Sequence, residues 1–257
     1  MIRFAIGAAF ALAVAYAAYR ARALNASGAV AAFVVGTLTY GIGGWPATLV
    51  LFAFFVPSTV LSRIGRARKR ALVDIGKAGA RDAWQVFANG GVAAIALLFT
   101  RHADAAAFAA FAGAFAAASA DTWGTEIGTL ARGTPRSILS LRPLATGLSG
   151  GITLQGTLAT FGGAACVALV AGAVHLAAVA PIFIAGVAGA FTDSFLGASA
   201  QALRHCPTCA RDCETNPHVC GTTTVLRRGA AWLGNDAVNL AATLTGAIVA
   251  ALLVRIA

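Results

Sequence analysis

The chain has 257 residues, of which 59% are hydrophobic and 11% charged, and it carries a net charge of +10. Because soluble domains contain about 25% charged residues, this composition, with a mean hydropathy of +0.79, excludes a water-soluble protein and indicates a polytopic membrane protein. The cations lack the interleaved aromatic residues that single-stranded nucleic acid requires. We therefore expect them to set the topology and to contact anionic lipid or substrate, and we expect no nucleic-acid partner.

The apolar segments predict a single membrane domain over residues 1–257, an all-α bundle of about eight transmembrane helices. The predicted spans are residues 2–19, 28–42, 46–62, 84–100, 104–120, 151–172, 178–200 and 237–254. The second span is short, so an alternative with seven spans stays open. The first apolar stretch has only Arg3 in front of it, and we interpret it as a span rather than a cleavable signal.

Positive charges concentrate in four of the segments between spans: residues 20–22, 63–81, 132–142 and 204–228. By the positive-inside rule these four segments are cytoplasmic and both termini are outside, which predicts a multi-pass protein of the inner cell membrane with a cytoplasmic active face. Of the nine acids, only Asp104 is predicted to lie outside. The acids therefore gather on the side where nucleotides are found.

Four acids at or near the predicted cytoplasmic ends of spans form a candidate reaction centre: Asp121, Glu126, Asp193 and Asp236. An acid in a membrane helix is costly unless it pairs with a cation or binds a metal. Mg²⁺ takes carboxylate oxygens, and phosphoryl transfer uses such ions. Pairing with loop arginines is the alternative. Asp121 and Glu126 are about 140° apart on an ideal helix, so they share a face only if Gly124 breaks it.

Three polar motifs accompany the acids. Gln85 and Asn89 share a helix face, where they either bond across helices or bind a ligand. Asn235 and Asn239 share another face, next to Asp236. A segment rich in Gly, Ser and Thr precedes the sixth span, and it offers either backbone amides to a phosphate or a close helix contact. Its candidate residues are Thr146, Gly147, Ser149, Gly150 and Gly151.

A compact group of four cysteines and two histidines lies in the loop at residues 204–228. This density predicts a structural zinc site. Three of its ligands would be Cys206, Cys209 and Cys220, and the fourth would be Cys213 or His218. Reduced thiols without a metal are the alternative, since a cytoplasmic position argues against disulfides.

Taken together and in order, these motifs resemble a family of integral membrane proteins that includes the plant phytyl-phosphate kinase and animal transmembrane protein 19. The resemblance extends from about residue 20 to the end of the chain. The residues that carry it are Lys77, Arg81-Asp82, Gln85, Asn89-Gly90-Gly91, Asp121-Thr122-Trp123, Glu126, Thr146-Gly147, Ser149-Gly150-Gly151, Gly156-Thr157, Asp193-Ser194, Gly197, Gln201, Asn235-Asp236 and Asn239.

The resemblance implies transfer of a phosphoryl group from a nucleoside triphosphate to an isoprenyl monophosphate. The four acids would hold Mg²⁺, and Lys77, Arg81 and residues 146–151 would bind phosphates. Gln85, Asn89, Asn235 and Asn239 would orient the substrate. Two alternatives stay open: an ion-coupled transporter, for which acids in the membrane are also typical, and a cytidylyl- or phosphotransferase of lipid head groups.

Overall fold

The computed structural model describes residues 1–65, 79–100 and 104–256. Within these ranges seven helices are present: α1 (Ile2–Arg20), α2 (Ala26–Leu61), α3 (Ala83–Leu98), α4 (Ala105–Gly128), α5 (Leu154–Ala173), α6 (Val179–Ser199) and α7 (Asn235–Ile256). Six of them are long and apolar enough to cross a membrane, and α3 is shorter. The predicted all-α class of a multi-pass bundle is therefore confirmed.

Helix α2 is a helical hairpin that reverses direction at Gly44. Gly44 has φ 63°, a conformation that favours glycine, and Pro46 follows it. The backbone N–H of Asn25, at the start of α2, bonds to the carbonyl of Arg81, and the Arg81 guanidinium donates to Ser62 at its end. A straight helix of 36 residues would hold these ends about 54 Å apart. The two halves correspond to the predicted second and third spans, as an eight-span topology requires.

Helix α4 forms the centre of the bundle. Every residue from Phe111 to Ala120 is buried, and α4 packs against α2, α3, α5, α6 and α7. A helix that is apolar on all sides is stable only when neighbours surround it. Its alanines and glycines let those neighbours approach closely, as in other membrane bundles. The central helix thus fixes the position of the acids near its end.

Capping side chains define where several helices begin. Asn25 accepts a hydrogen bond from the Gly28 N–H at the start of α2, and Thr153 accepts one from Gly156 at the start of α5. Asp82 and Gln85 form a capping box at the start of α3. Each side chain satisfies a backbone donor that the first helical turn leaves open.

Five short strands, which the sequence analysis did not predict, lie between helices. Strand β1 (Arg136–Ser137) pairs with β2 (Gly151–Ile152) between α4 and α5. Strands β3 (Leu203–Cys206), β4 (Arg211–Cys213) and β5 (Val225–Arg228) form an antiparallel sheet in the order β4-β3-β5 between α6 and α7. Both sheets lie at the end of the bundle where α4 and α6 end and where α3, α5 and α7 begin. We call this the site end.

Candidate functional site

A cavity of about 980 Å³ opens at the site end, and we call it the polar cavity. Its wall contains every predicted site residue outside the Cys/His group that the structure describes. These are Asp121, Glu126, Asp193, Asp236, Arg81, Gln85, Asn89, Thr146, Gly147, Ser149, Gly150, Gly151, Asn235 and Asn239. Lys77 lies outside the described residues. Motifs spread over more than 150 positions of the chain therefore meet at one place.

The acids of the polar cavity are close enough to repel one another. Glu126 interacts with Asp121, and Asp121 interacts with Asp193. Asp193 is also repelled by Glu214, which lines the same cavity. Like charges in a water-poor site raise the energy of the ionised state, so either a proton or a bound cation would stabilise such a series of carboxylates.

Asp193 carries a carboxylate oxygen that could serve as a ligand to a bound cation. Its Oδ2 atom is buried and has no hydrogen-bond partner within the ranges that the structure describes. Buried polar atoms in folded proteins are nearly always bonded, so an atom like this one marks a place for a ligand, an ion or water. The donor set is carboxylate oxygen, which suits Mg²⁺.

Helix α4 brings Asp121 and Glu126 to the same cavity without a break. The helix is continuous to Gly128, so Gly124 does not interrupt it, and Asp121 and Glu126 stay on different faces of α4. The cavity extends around the end of α4, so residues on different faces both reach it. Gly124 instead permits close approach of α5, since a Cβ atom there would lie 2.4 Å from Thr160 Oγ1.

Arg81 supplies positive charge next to the acids. Its guanidinium donates to Ser62 Oγ at 3.2 Å, and Ser62 Oγ lies 2.5 Å from Glu126 Oε1. Burial lowers the pKa of Arg81, while the charge of Glu126 acts in the opposite direction. An arginine stays protonated at neutral pH, so this cation can bind an anionic substrate.

The two amides on α3 make their hydrogen bonds within that helix. Gln85 Oε1 accepts from the backbone N–H of Asp82 as part of the capping box. Asn89 Nδ2 donates to the carbonyl oxygen of Gln85 at 2.9 Å. Both residues also line the polar cavity. The shared face that the sequence predicted is therefore present, and the capping role of Gln85 is an addition to it.

Glu214 holds the centre of the segment rich in Gly, Ser and Thr. The backbone N–H of Ser149 donates to Glu214 Oε1 at 2.7 Å, and the Ser149 hydroxyl donates to Oε2 at 2.8 Å. Gln201 Nε2 donates to the same Oε2 at 2.8 Å and to Ser149 Oγ at 2.9 Å. Burial raises the pKa of Glu214, and the Ser149 donors oppose that shift.

Sequence reasoning missed Glu214 and Ser62 as site residues. Nothing in the spacing of Glu214 connects it with Ser149, which is 65 positions away. The signal that could have found it is scarcity, since the chain has nine acids in total. Ser62 carried no signal, because serines at the ends of membrane helices are common.

The Cys/His loop brings four potential metal ligands together: Cys206, Cys209, His218 and Cys220. Their ligand atoms all lie within 4.8 Å of one another. Of the two candidates for a fourth ligand, His218 belongs to this group and Cys213 does not. The thiol of Cys213, at the end of β4, instead donates to the carbonyl of Thr215.

A second, apolar cavity of about 100 Å³ adjoins the polar one. Its wall comes from α1, α2, α3 and α4, and includes Phe10, Val14, Val35, Leu51, Phe52, Phe54, Phe55 and Phe115. Four residues line both cavities: Arg81, Gln85, Asn89 and Thr122. A polar chamber with acids and an arginine therefore shares a wall with an apolar one.

Fold and site together define a multi-pass membrane protein with an acid-lined cavity at one end of its helical bundle. The chain belongs to the integral membrane protein family DUF92, whose model matches residues 9–247. The family resemblance that the motifs predicted is therefore confirmed.

The chain is similar to proteins from plants and archaea. Protein PGR of Arabidopsis thaliana is 30% identical over 223 residues, which cover 75% of this chain and 77% of that protein. The uncharacterized membrane protein MJ0933 of Methanocaldococcus jannaschii is 26% identical over 238 residues, 91% of this chain and 87% of that protein. Protein VTE6, chloroplastic, of Arabidopsis thaliana is 27% identical over 237 residues, 90% of this chain and 65% of that longer protein. No solved structure matches the chain.

Proposed function

We propose that the protein is a membrane kinase that transfers the terminal phosphoryl group of a nucleoside triphosphate to an isoprenyl monophosphate. The observation that carries the proposal is the shared wall of the two cavities. Arg81, Gln85 and Asn89 face a chamber lined by acids on one side and an apolar chamber on the other. This arrangement suits a substrate that has an anionic head and an apolar tail.

The acids suit a bound Mg²⁺ ion, which in phosphoryl transfer neutralises the charge of the triphosphate. Asp121, Glu126, Asp193 and Asp236 would hold it. The unpartnered Oδ2 of Asp193 and the mutual repulsion of Asp121 and Glu126 are the observations that favour a cation here.

The reaction needs little acid–base chemistry from the protein. An oxygen of the isoprenyl phosphate attacks the γ-phosphorus, a new P–O bond forms, and the bond between the γ-phosphorus and the β–γ bridging oxygen breaks. The products are the isoprenyl diphosphate and a nucleoside diphosphate. Because the attacking phosphate is already ionised, positioning and charge neutralisation are the main tasks.

The chain's own residues would perform that positioning. Arg81 would bind a phosphate oxygen, and Asn89, Asn235 and Asn239 would orient the phosphates by hydrogen bonds. The backbone of residues 146–151 would contribute N–H groups, while Ser149 itself is held by Glu214. Lys77, which lies outside the described residues, stays in the proposal as a further phosphate ligand.

The apolar cavity would receive the first part of the isoprenyl tail, with the rest of the tail in the bilayer. Val14 and Phe10 on α1 and Val35 on α2 line it, so a tail there would lie between the first two helices. The exposed Trp84 and Trp232 line the polar cavity, and tryptophans of this kind favour the membrane–water interface. The phosphate would therefore stay near the surface, on the face that we propose is cytoplasmic.

The depth of the acids favours an enzyme over a transporter. Glu126 lies two residues before the end of α4, and Asp236 lies in the first turn of α7. Asp121 is seven residues, about 10 Å, from the end of α4 at Gly128. Transporter sites lie near the bilayer midplane, between discontinuous helices.

The test is an assay of purified protein with γ-labelled nucleoside triphosphates and a panel of isoprenyl monophosphates of different chain lengths. We expect labelled isoprenyl diphosphate in the presence of Mg²⁺ and none with a simple alkyl alcohol as acceptor. Failure of every nucleotide and acceptor pair, with folded protein, would contradict the proposal.

A further inference from the structure

We propose that a zinc ion bound by Cys206, Cys209, His218 and Cys220 fixes the loop that carries Glu214, and that Glu214 in turn holds residues 146–151 at the rim of the polar cavity. The inference concerns the metal content of the protein and the conformational order of these two loops, so it does not depend on the proposed kinase reaction.

The spacing of the four side chains fits a tetrahedral ion. A tetrahedron with metal–sulfur bonds of ~2.3 Å has sulfur–sulfur edges of roughly 3.8 Å. Cys206 Sγ lies 3.6 Å from Cys220 Sγ, and His218 Nδ1 lies 3.1 Å from the same sulfur. All five cysteines of the chain are free thiols. Three cysteines and one histidine fill all four positions, which is typical of a structural zinc site.

His218 has the surroundings of a ligand rather than those of an ordinary core histidine. It is 3% exposed, and its Nε2 makes no hydrogen bond with any residue that the structure describes. The ring presents Nδ1 to the cysteine sulfurs, 3.1 Å from Cys220 Sγ, and coordination through Nδ1 would leave the ring proton on Nε2.

The four ligands lie on both sides of Glu214 in the chain. Cys206 ends β3 and Cys209 lies in the turn to β4, which ends at Cys213, directly before Glu214. His218 and Cys220 follow after four and six residues. An ion that joins the two ligand pairs therefore closes a short loop around Glu214, and closing such a loop removes much of its conformational freedom.

Further hydrogen bonds within the loop hold the residues next to Glu214 in place. The Cys213 thiol donates to the carbonyl of Thr215. The Thr224 hydroxyl also contacts that carbonyl, and Thr224 N donates to Asn216 Oδ1 at 3.0 Å. Both residues that flank Glu214 are thus fixed by side chains of the same loop. The carboxylate is then presented to Ser149 with both oxygens engaged.

Metal analysis is the first part of the test. Protein purified without added metal should contain roughly one zinc ion per chain. Cys209→Ser should lose it, whereas Cys213→Ser, a change of the same type in the same loop, should keep it. Absence of zinc from the wild type, or equal loss in both variants, would overturn the ligand assignment.

Hydrogen exchange is the second part, and its readout lies far from the metal ligands in sequence. Residues 146–151 should exchange about tenfold faster in Cys209→Ser than in the wild type, because Ser149 N–H loses its partner. Glu214→Ala should show the same acceleration while keeping its zinc. Cys213→Ser, whose hydroxyl can still donate to the carbonyl of Thr215, should match the wild type.

If Cys209→Ser does not fold, zinc can instead be removed from the wild type with a chelator and then added back. Faster exchange of residues 146–151 on removal and recovery on return are expected. Zinc that can be removed with no change in that segment would overturn the positioning role of Glu214. Neither readout involves nucleotide or lipid, so failure here is separate from failure of the proposed function.

Discussion

Ser62 Oγ lies 2.5 Å from Glu126 Oε1, although 64 residues separate them in the chain. The contact joins the end of α2 to the last turn of α4. Arg81 donates to the same hydroxyl, so three segments meet at one serine. The arrangement fixes Glu126 at the wall of the polar cavity by hydrogen bonding.

Ser62→Ala should therefore destabilise the protein. A hydrogen bond to a charged group contributes about 1.5–3 kcal/mol, and its loss should lower the midpoint of thermal unfolding. Ser58→Ala is the matched control, one turn earlier in α2. The Ser58 hydroxyl is buried and has no hydrogen-bond partner in the described parts of the chain, so its removal should be nearly neutral. Equal midpoints for the two variants would contradict the role given to Ser62.

The acids of the cavity are tested by replacement with amides of the same size. Asp121→Asn, Glu126→Gln, Asp193→Asn and Asp236→Asn should each reduce turnover by about 10²-fold, since such electrostatic contributions are worth ~3 kcal/mol. The thermal stability of the Asp121 and Asp193 variants should change little or rise, because the repulsion between neighbouring carboxylates is relieved.

The control for the acids is Asp104→Asn at the opposite end of the bundle. Asp104 caps α4 by accepting from the Ala106 N–H, and asparagine caps a helix equally well. This variant should be silent in both activity and stability. If the four cavity variants lose folding while the molecules that remain folded keep full turnover, the acids are structural and the metal assignment is wrong.

The pH dependence of stability should show the raised pKa of the Glu214 carboxyl group. Burial raises its pKa in the folded protein above the ordinary value of 4.5. The folded state therefore holds this proton more tightly than the unfolded state, and the free energy of unfolding falls as the pH rises from about 4.5 through the folded-state pKa. Glu214→Gln should flatten that part of a plot of unfolding midpoint against pH. An unchanged slope would contradict the environment assigned to Glu214.

The apolar cavity can be tested by filling it. Val14 on α1 lines the cavity, so Val14→Phe should obstruct the tail. We expect KM for a long isoprenyl monophosphate to rise about tenfold, which corresponds to about 1.4 kcal/mol, with a smaller effect on a short one. Leu12→Phe is the control, because Leu12 is 60% exposed and does not line the cavity. Equal kinetics for the two variants would place the tail elsewhere.

The sequence predicted the bundle and the gathering of the acids well, and the reasons are physical. Apolar segments of span length have few alternatives to membrane helices, and charged loops fix which ends lie together. Asp121, Asp193 and Asp236 could thus be assigned to one end before any contact was known. The reversal at Gly44 separates the second and third predicted spans.

The contacts between loops could not be predicted in the same way. Ser149 and Glu214 meet through a small sheet whose pairing depends on long-range packing. The choice of His218 over Cys213 depends on where the side chains of the end of β4 and of the following loop come to lie, and spacing alone does not determine that. Helix geometry alone likewise does not show that the cavity extends around the end of α4 to both Asp121 and Glu126.

The most direct measurement of the central claim follows two labels in the nucleoside triphosphate, one on the α-phosphate and one on the γ-phosphate. With purified protein, Mg²⁺ and an isoprenyl monophosphate, the account predicts that the γ label alone enters the lipid, and that Asp193→Asn reduces its transfer by about 10²-fold. Entry of the α label into the lipid would show nucleotidyl transfer, and absence of both labels from the lipid would show that the cavity does not catalyse this reaction. Either result would contradict the account.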